Sequence, residues 1–298
     1  MRLARLSDGR LVLARRHGFI DVAAASGDPA LGTLNGLLRA GAERVRFLDG
    51  ADVAPLDTRD LASPVDAPAK IICVGRNYSD HMQEMGHETA PWPETFLRLP
   101  TGLIGPYADI QRPAVTSRLD YEGELALVIG TAGRHIPADR ALEHVFGLTV
   151  ANDVSVRDWQ HRGQQWTPGK NFDGTLPLGP HLVSIDRVDP SDLAIETRVN
   201  GEVVQSARTS QLIFDLPHII EFVSSWTTLI PGDLILTGTP GGVGVARDPP
   251  LLLTDGDMVE VEVQDVGAIR NLVRDDGLAP ATERWAQEAA GARTPGAR

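Results

Sequence analysis

The sequence predicts an α+β fold that is mostly β: a β-rich main domain over residues 66–275, a small N-terminal α+β domain over residues 1–65, and a loose C-terminal tail over residues 276–298. Three observations carry this. From Lys70 onward, short runs of β-type residues outnumber helical patterns, namely IICVG at 71–75, ELALVIG at 124–130, LILTGT at 234–239 and MVEVEV at 258–263. The clearest helical pattern in that stretch follows Pro217, a residue suited to a first turn, with Ile219, Ile220, Val223 and Trp226 or Thr227 facing inward. The first 65 residues carry a hairpin and a helix of their own.

In chain order, alternating apolar residues around Asp8-Gly9 predict the hairpin, because that dipeptide accepts the positive φ angles of a tight turn. The helix begins at a Thr33 cap, and Leu34, Leu37, Leu38, Ala42 and Val45 recur at helical spacing as one apolar stripe. Residues 49–68, with their Asp, Pro and Ala, read as a linker. Beyond Asp275 the chain is rich in Ala, Gly, Pro and charge, which predicts a loose end, although ATERWAQEAAGAR has the composition of a short helix.

A chain of 298 residues with 42% hydrophobic and 23% charged residues can bury one substantial core and carry an appendage. Its net charge of -12, without a cluster of Lys and Arg, speaks against nucleic acid and anionic membrane as partners. An anionic small molecule is still admissible if a bound metal or a few buried cations reverse the local sign. Cys73 is the single cysteine, so an internal disulfide and a thiolate-rich metal site are excluded and a reducing compartment, the cytoplasm, is expected. The N-terminal MRLARLSDGRLVLARR never builds the uninterrupted apolar stretch of a signal peptide or a spanning helix.

Candidate chemistry begins with Asp120-Tyr121-Glu122-Gly123-Glu124-Leu125, which places two carboxylates two residues apart at the start of a strand. They share a face, roughly 6.6 Å apart along the backbone. Two such side chains can converge on one Mg²⁺ or Mn²⁺ ion at oxygen distances of about 2.1 Å. Taken alone, such a pair reads as a solvated edge; here its face continues with Ala126 and Val128 and runs toward a core. Asp153, where the apolar run before Asn152 ends, is the preferred third ligand, with a helix cap or turn as its bland alternative. Lys170 is either a surface amine or, if it points into a metal cleft, a stabiliser of a developing oxyanion.

His81 and Glu84 are one helical turn apart, so the carboxylate can orient the imidazole; the ordinary alternative is an exposed pair. Leu234 to Gly244 reads as a strand emptying into a glycine-rich turn, without the Lys-Ser/Thr ending of a phosphate loop. Its glycines let backbone N–H groups and Thr239 approach a carboxylate.

In this order, the blocks G-R-N-Y-x-x-H-x-x-E, Y-E-x-E-L, N-D-x-S-x-R-D-x-Q, G-K-x-F-D and T-G-T-P-x-G-V-G resemble the fumarylacetoacetate hydrolase (FAH) family over about residues 70 to 274. The resemblance implies an FAH-type mixed β-sandwich roll, a homodimer, and a Mg²⁺ or Mn²⁺ ion on Glu122, Glu124 and Asp153. It places Lys170 in the active site beside His81 and Glu84 on a lid, and assigns Arg76, Tyr78, Arg157, Gln160, Gly238 and Thr239 to substrate. Arg98 stands where relatives often carry Lys, and the two are not equivalent at a bidentate contact.

The expected activity is metal-dependent hydrolysis of a carbon–carbon bond in an acylpyruvate or related 2,4-dioxo acid, through a metal-bound enolate. His81 would activate water and Lys170 would steady the oxyanion. Decarboxylation of an oxaloacetate-type substrate and isomerisation of a hydroxymuconate-type dioate use the same triad. A non-catalytic oxo-acid binding protein is the reading from another class.

Overall fold

Alternation along one strand sets the layers. Gly123–Ile129 is buried at every position, and successive side chains point to opposite faces of its sheet. Leu125, Leu127 and Ile129 enter one hydrophobic core, whereas Ala126 and Val128 enter another. The sheet is therefore covered on both sides, and a computed structural model shows what covers it. It describes residues 1–15, 18–48, 54–55, 57–84 and 90–279, without the side chains of Arg46, Phe47, His81, Met82 and Gln83.

Among the described residues the main sheet has eleven strands. Its path runs Gly18–Asp21, Leu11–Arg15, Arg2–Leu6, Leu176–Ser184, Val145–Asn152, Gly123–Ile129, Leu234–Leu236, Ile71–Gly75 and Glu94–Arg98. Most neighbours are antiparallel, but Leu234–Leu236 runs parallel to Ile71–Gly75. A five-stranded sheet, ordered Glu202–Arg208, Ala194–Val199, Met258–Val263, Gly267–Asp275 and Ile110–Arg112, packs through Ile195, Val261, Val263 and Ile269 into the first core. The helix Leu216–Trp226 joins that core with Ile219, Ile220 and Val223. Its N-cap Asp215 accepts from His218 N–H, and Pro217 stands in the first turn, as the sequence predicts. Trp226 does not face inward; it is 44% exposed, because the helix ends there and turns its last residue outward.

The other core lies under the N-terminal residues. The Asp8-Gly9 hairpin forms, with Leu3 opposite Leu13 and Gly9 at φ 94°. Arg2–Leu6 then pairs with Leu176–Ser184, so both sheet and core continue across the 65/66 boundary expected from sequence. The Thr33 cap is real, its Oγ1 accepting from Gly36 N–H at 3.1 Å. The helix nevertheless stops at Ala40, since Gly41 adopts φ 94°, and Ala42–Leu48 continues as a 3₁₀ segment. Inside the expected linker, Leu61–Ala62 pairs with Arg2–Leu6. ATERWAQEAAGAR lies outside the described residues.

His181, on Leu176–Ser184, makes this junction sensitive to acid. Burial, helped by the Arg2 charge, lowers its pKa to about 4 from 6.5. Above 6.5 the imidazole is neutral folded and unfolded; between 6.5 and 4 the unfolded chain binds the proton first, so stability falls with falling pH. His181→Gln is expected to lose less stability than wild type between about pH 7.5 and about pH 5, by at most about 2 kcal/mol. Urea unfolding at the two pH values measures it, and equal losses would remove His181 from the account.

Candidate active site

The pairing of Gly123–Ile129 with Val145–Asn152 sets Gly123 opposite Asn152 and Glu124 opposite Ala151. Just past this ladder the two chains are laced together. Asp153 N–H donates to Glu122 O at 2.8 Å, and Asn152 Oδ1 accepts from Glu122 N–H at 2.9 Å. Asp153 is thereby placed beside both glutamates. All three carboxylates are buried, and one oxygen from each lies within 4.8 Å of the others.

Buried anions this close require compensation. Lys170, at the end of the short helix Thr167–Lys170, brings Nζ to Glu122 Oε2 at 2.6 Å and Asp153 Oδ2 at 2.7 Å. Burial acts to lower the pKa of this amine, but Asp153 and Glu122 outweigh it and hold the ammonium above its usual value. Arg157 Nη1 lies 2.7 Å from Glu122 Oε1, and Gly238 N–H donates to Glu124 Oε2 at 2.7 Å. Arg98 Nη1 donates to Asp153 Oδ1. Glu124 remains poorly compensated: burial first, then the charges of Asp153 and Glu122, push its carboxyl well above the ordinary range. A divalent cation would relieve that repulsion, and a donor set made only of carboxylate oxygens fits a hard ion such as Mg²⁺ or Mn²⁺.

The cluster forms the floor of a cleft. Arg157 and Gln160 share one face of the turn Arg157–Gln160 and are joined by a 3.0 Å hydrogen bond. Among the described residues the buried Nη2 of Arg157 has no hydrogen-bond partner. Phe96 and Trp166 meet edge to face at 5.4 Å on the wall, with Lys170 Nζ 5.2 Å from the Phe96 ring centre. Arg76, also on the wall, holds φ 58°, lies 5.2 Å over the Trp166 ring and pairs with Glu94 at 3.2 Å. Gly169 is required before Lys170, since a Cβ there would stand 2.4 Å from Gln160 N.

Other expected site residues are placed differently. Thr239 lines the cleft, but its hydroxyl donates to Gly123 O and accepts from Gln205 Nε2. Gly238, expected at the substrate, spends its N–H on Glu124, because φ 102° turns that group back toward the strand end. Tyr78 is not on the cleft wall: it is fully buried in the first core, and burial raises its pKa. Glu84 ends the helix Ser79–Glu84, and its carboxylate accepts from Gly242 N–H at 2.9 and 3.1 Å. The His81 side chain lies outside the described residues.

Asp120 was not singled out from sequence. It is fully buried and accepts from the N–H groups of Tyr121, Gly244 and Val245, while Arg157 Nε donates to it at 2.8 Å. It thus ties the glycine-rich turn to the arginine of the cleft. Its one signal was position, two residues before Glu122 in the same motif.

Residues 70–274, which contain every one of these groups, match the Fumarylacetoacetate (FAA) hydrolase C-terminal family. The chain belongs to the fumarylacetoacetate hydrolase family. Within it, the human mitochondrial oxaloacetate tautomerase FAHD2A is 48% identical over 224 residues, covering 74% of this chain and 71% of that protein. The structure of a fumarylacetoacetate hydrolase from Exiguobacterium antarcticum aligns with a TM-score of 0.78 at 38% identity, covering 92% of this chain and 99% of that one. A maleylpyruvate hydrolase from Sphingobium sp. SYK-6, solved with manganese(II) and pyruvate, aligns with a TM-score of 0.77 at 32% identity over 92% and 99% of the two chains. Fumarylacetoacetate hydrolase family members are enzymes, with hydrolases, isomerases and tautomerases among them. Among the described residues no helix is long and apolar enough to cross a membrane.

Proposed function

We propose that this chain interconverts the enol and keto forms of a small 2-oxo dicarboxylate of the oxaloacetate type, with a divalent cation held by Glu122, Glu124 and Asp153. The observation that carries this reading is Lys170, a buried ammonium on the cleft wall held at 2.6 and 2.7 Å by two of those carboxylates. Tautomerisation moves protons only: one leaves the enol oxygen and one arrives at C3. Lys170, held in the cleft by Asp153 and Glu122, enters as the acid, gives a proton to C3 and recovers one from the enol hydroxyl. Arg157, through an Nη2 unpartnered among the described residues, and Gln160 receive a substrate carboxylate, with Arg76 at the wall for the second. Phe96 and Trp166 keep bulk water from the reacting carbon. The cation, when bound, would make the enol hydroxyl more acidic, so that its proton leaves as C3 is protonated. The 48% identity to an oxaloacetate tautomerase supports the choice of substrate.

The second reading is hydrolytic cleavage of an acylpyruvate. The likeness to maleylpyruvate hydrolase and the His81-x-x-Glu84 helix favour it. One experiment separates the two: the Mn²⁺-loaded protein is given enol oxaloacetate and, separately, acylpyruvates, while loss of enol absorbance, pyruvate and CO₂ are followed. Lys170→Ala is expected to slow enol loss by about a hundredfold or more while still gaining thermal stability from Mn²⁺. His81→Ala leaves tautomerisation intact under the first reading and stops pyruvate release under the second. Cleavage of acylpyruvates without any effect on enol oxaloacetate would sink the tautomerase.

A further inference from the structure

The geometry points to Arg98 as a positioning residue that confines Asp153 to single-oxygen ligation and so makes the site choose small octahedral cations over calcium; this rests on the cation site of the proposed function. Each carboxylate of the cluster is engaged at one oxygen by a donor from outside it. For Glu122 Oε1 this is Arg157 Nη1, for Glu124 Oε2 the Gly238 N–H, and for Asp153 Oδ1 it is Arg98 Nη1. Each carboxylate is thus held at one oxygen from outside, and Lys170 Nζ bridges the second oxygens of two of them, Glu122 Oε2 and Asp153 Oδ2.

Three single oxygens suit an ion that takes six ligands at about 2.1 Å and keeps the remaining positions for water and substrate. Calcium takes about six to eight oxygens at about 2.3–2.6 Å and gains from carboxylates that bind through both. For Asp153 to bind through both, Oδ1 must leave Arg98.

Arg98 is built to prevent this. Its side chain has no exposure, and its second arm, Nη2, donates to Thr175 O at 3.0 Å and Thr175 Oγ1 at 2.7 Å. Nη1 reaches Val154 O at 3.3 Å as well. A planar guanidinium anchored on both arms cannot follow a turning carboxylate, and releasing Asp153 would strand a buried charge. A lysine at this position would hold Asp153 through one freely rotating ammonium without the second anchor.

Calorimetric titration of the full chain with Mn²⁺, Mg²⁺ and Ca²⁺ tests this, using wild type, Arg98→Met and Thr175→Val. Wild type is expected to bind Mn²⁺ about a hundredfold more tightly than Ca²⁺, and Arg98→Met to shrink that ratio by about tenfold or more. Thr175→Val, which removes one anchor of Arg98, moves the ratio the same way by less. A merely structural role would weaken all three ions in proportion, and that result overturns the proposal. If Arg98→Met does not fold, an unchanged ratio in Thr175→Val overturns it. A wild type that binds Mn²⁺ and Ca²⁺ alike ends the role of Arg98 but keeps the cation site, whereas one that binds no divalent ion ends both.

Discussion

Replacing Glu122 by alanine is expected to abolish the thermal stabilisation that Mn²⁺ gives the wild-type chain and to lower turnover about a thousandfold, the rate equivalent of several kcal/mol of lost charge stabilisation. Glu122 has three functions at once. It is a member of the carboxylate cluster, the partner of Arg157 Nη1 at 2.7 Å and the partner of Lys170 Nζ at 2.6 Å. At Mn²⁺ about a hundredfold above its dissociation constant, wild type gains roughly 2.7 kcal/mol, which raises its melting temperature by several degrees, while the variant gains none. Scanning calorimetry with and without Mn²⁺ reads this directly. A Glu122→Ala protein that is still stabilised by Mn²⁺ and still turns over would show that the carboxylate cluster is not the cation site.

Asp120→Ala is expected to cost about 2–4 kcal/mol of stability, because the buried Arg157 guanidinium loses the carboxylate at 2.8 Å and keeps Glu122 at 2.7 Å, while buried N–H groups lose their acceptor. The same change releases the N–H groups of Gly244 and Val245, so the glycine-rich turn loses its tie to the cleft. Urea unfolding measures the first effect. The second is expected as a rise in KM larger than the fall in kcat, since Arg157 is freed to leave its place in the cleft. Asp120→Asn keeps an acceptor for the backbone groups but not the ion pair, and is expected to fall between the two. A loss within about 0.5 kcal/mol, the range of ordinary surface substitutions, would mean that Asp120 is not the link between turn and cleft.

The parts of this fold and site that follow from local periodicity were legible. Glu122 and Glu124 lie two apart at the start of a strand whose face enters a core, so their convergence follows from the extended backbone. The Asp8-Gly9 turn, the Thr33 cap and the helix after Pro217 were readable for the same local reason. What depends on pairing between distant segments was not. The union of Arg2–Leu6 with Leu176–Ser184 has no signature in either stretch, and it merges the N-terminal residues into the main sheet. Asp153 was recognisable as an acid at the end of an apolar run, but its contact with Glu122 requires the ladder that sets Gly123 opposite Asn152. Gly238 was assigned to substrate because glycine exposes its N–H; only the φ of 102° shows that this N–H faces Glu124. Tyr78 belongs to a motif whose neighbour Arg76 is on the cleft wall, yet its ring is in the core. Arg98 stood out as a departure from the family pattern, and its hold on Asp153 gives that departure a physical consequence.

On the proposed function, one divalent cation sits among Glu122, Glu124 and Asp153. Anomalous scattering at the manganese edge from crystals of the full chain grown with Mn²⁺ tests it most directly. A peak is expected within coordination reach of all three carboxylates, with Lys170 Nζ displaced from at least one of the oxygens it otherwise holds at 2.6 and 2.7 Å. A manganese peak elsewhere on the chain, with Lys170 still bridging Glu122 and Asp153, would contradict it.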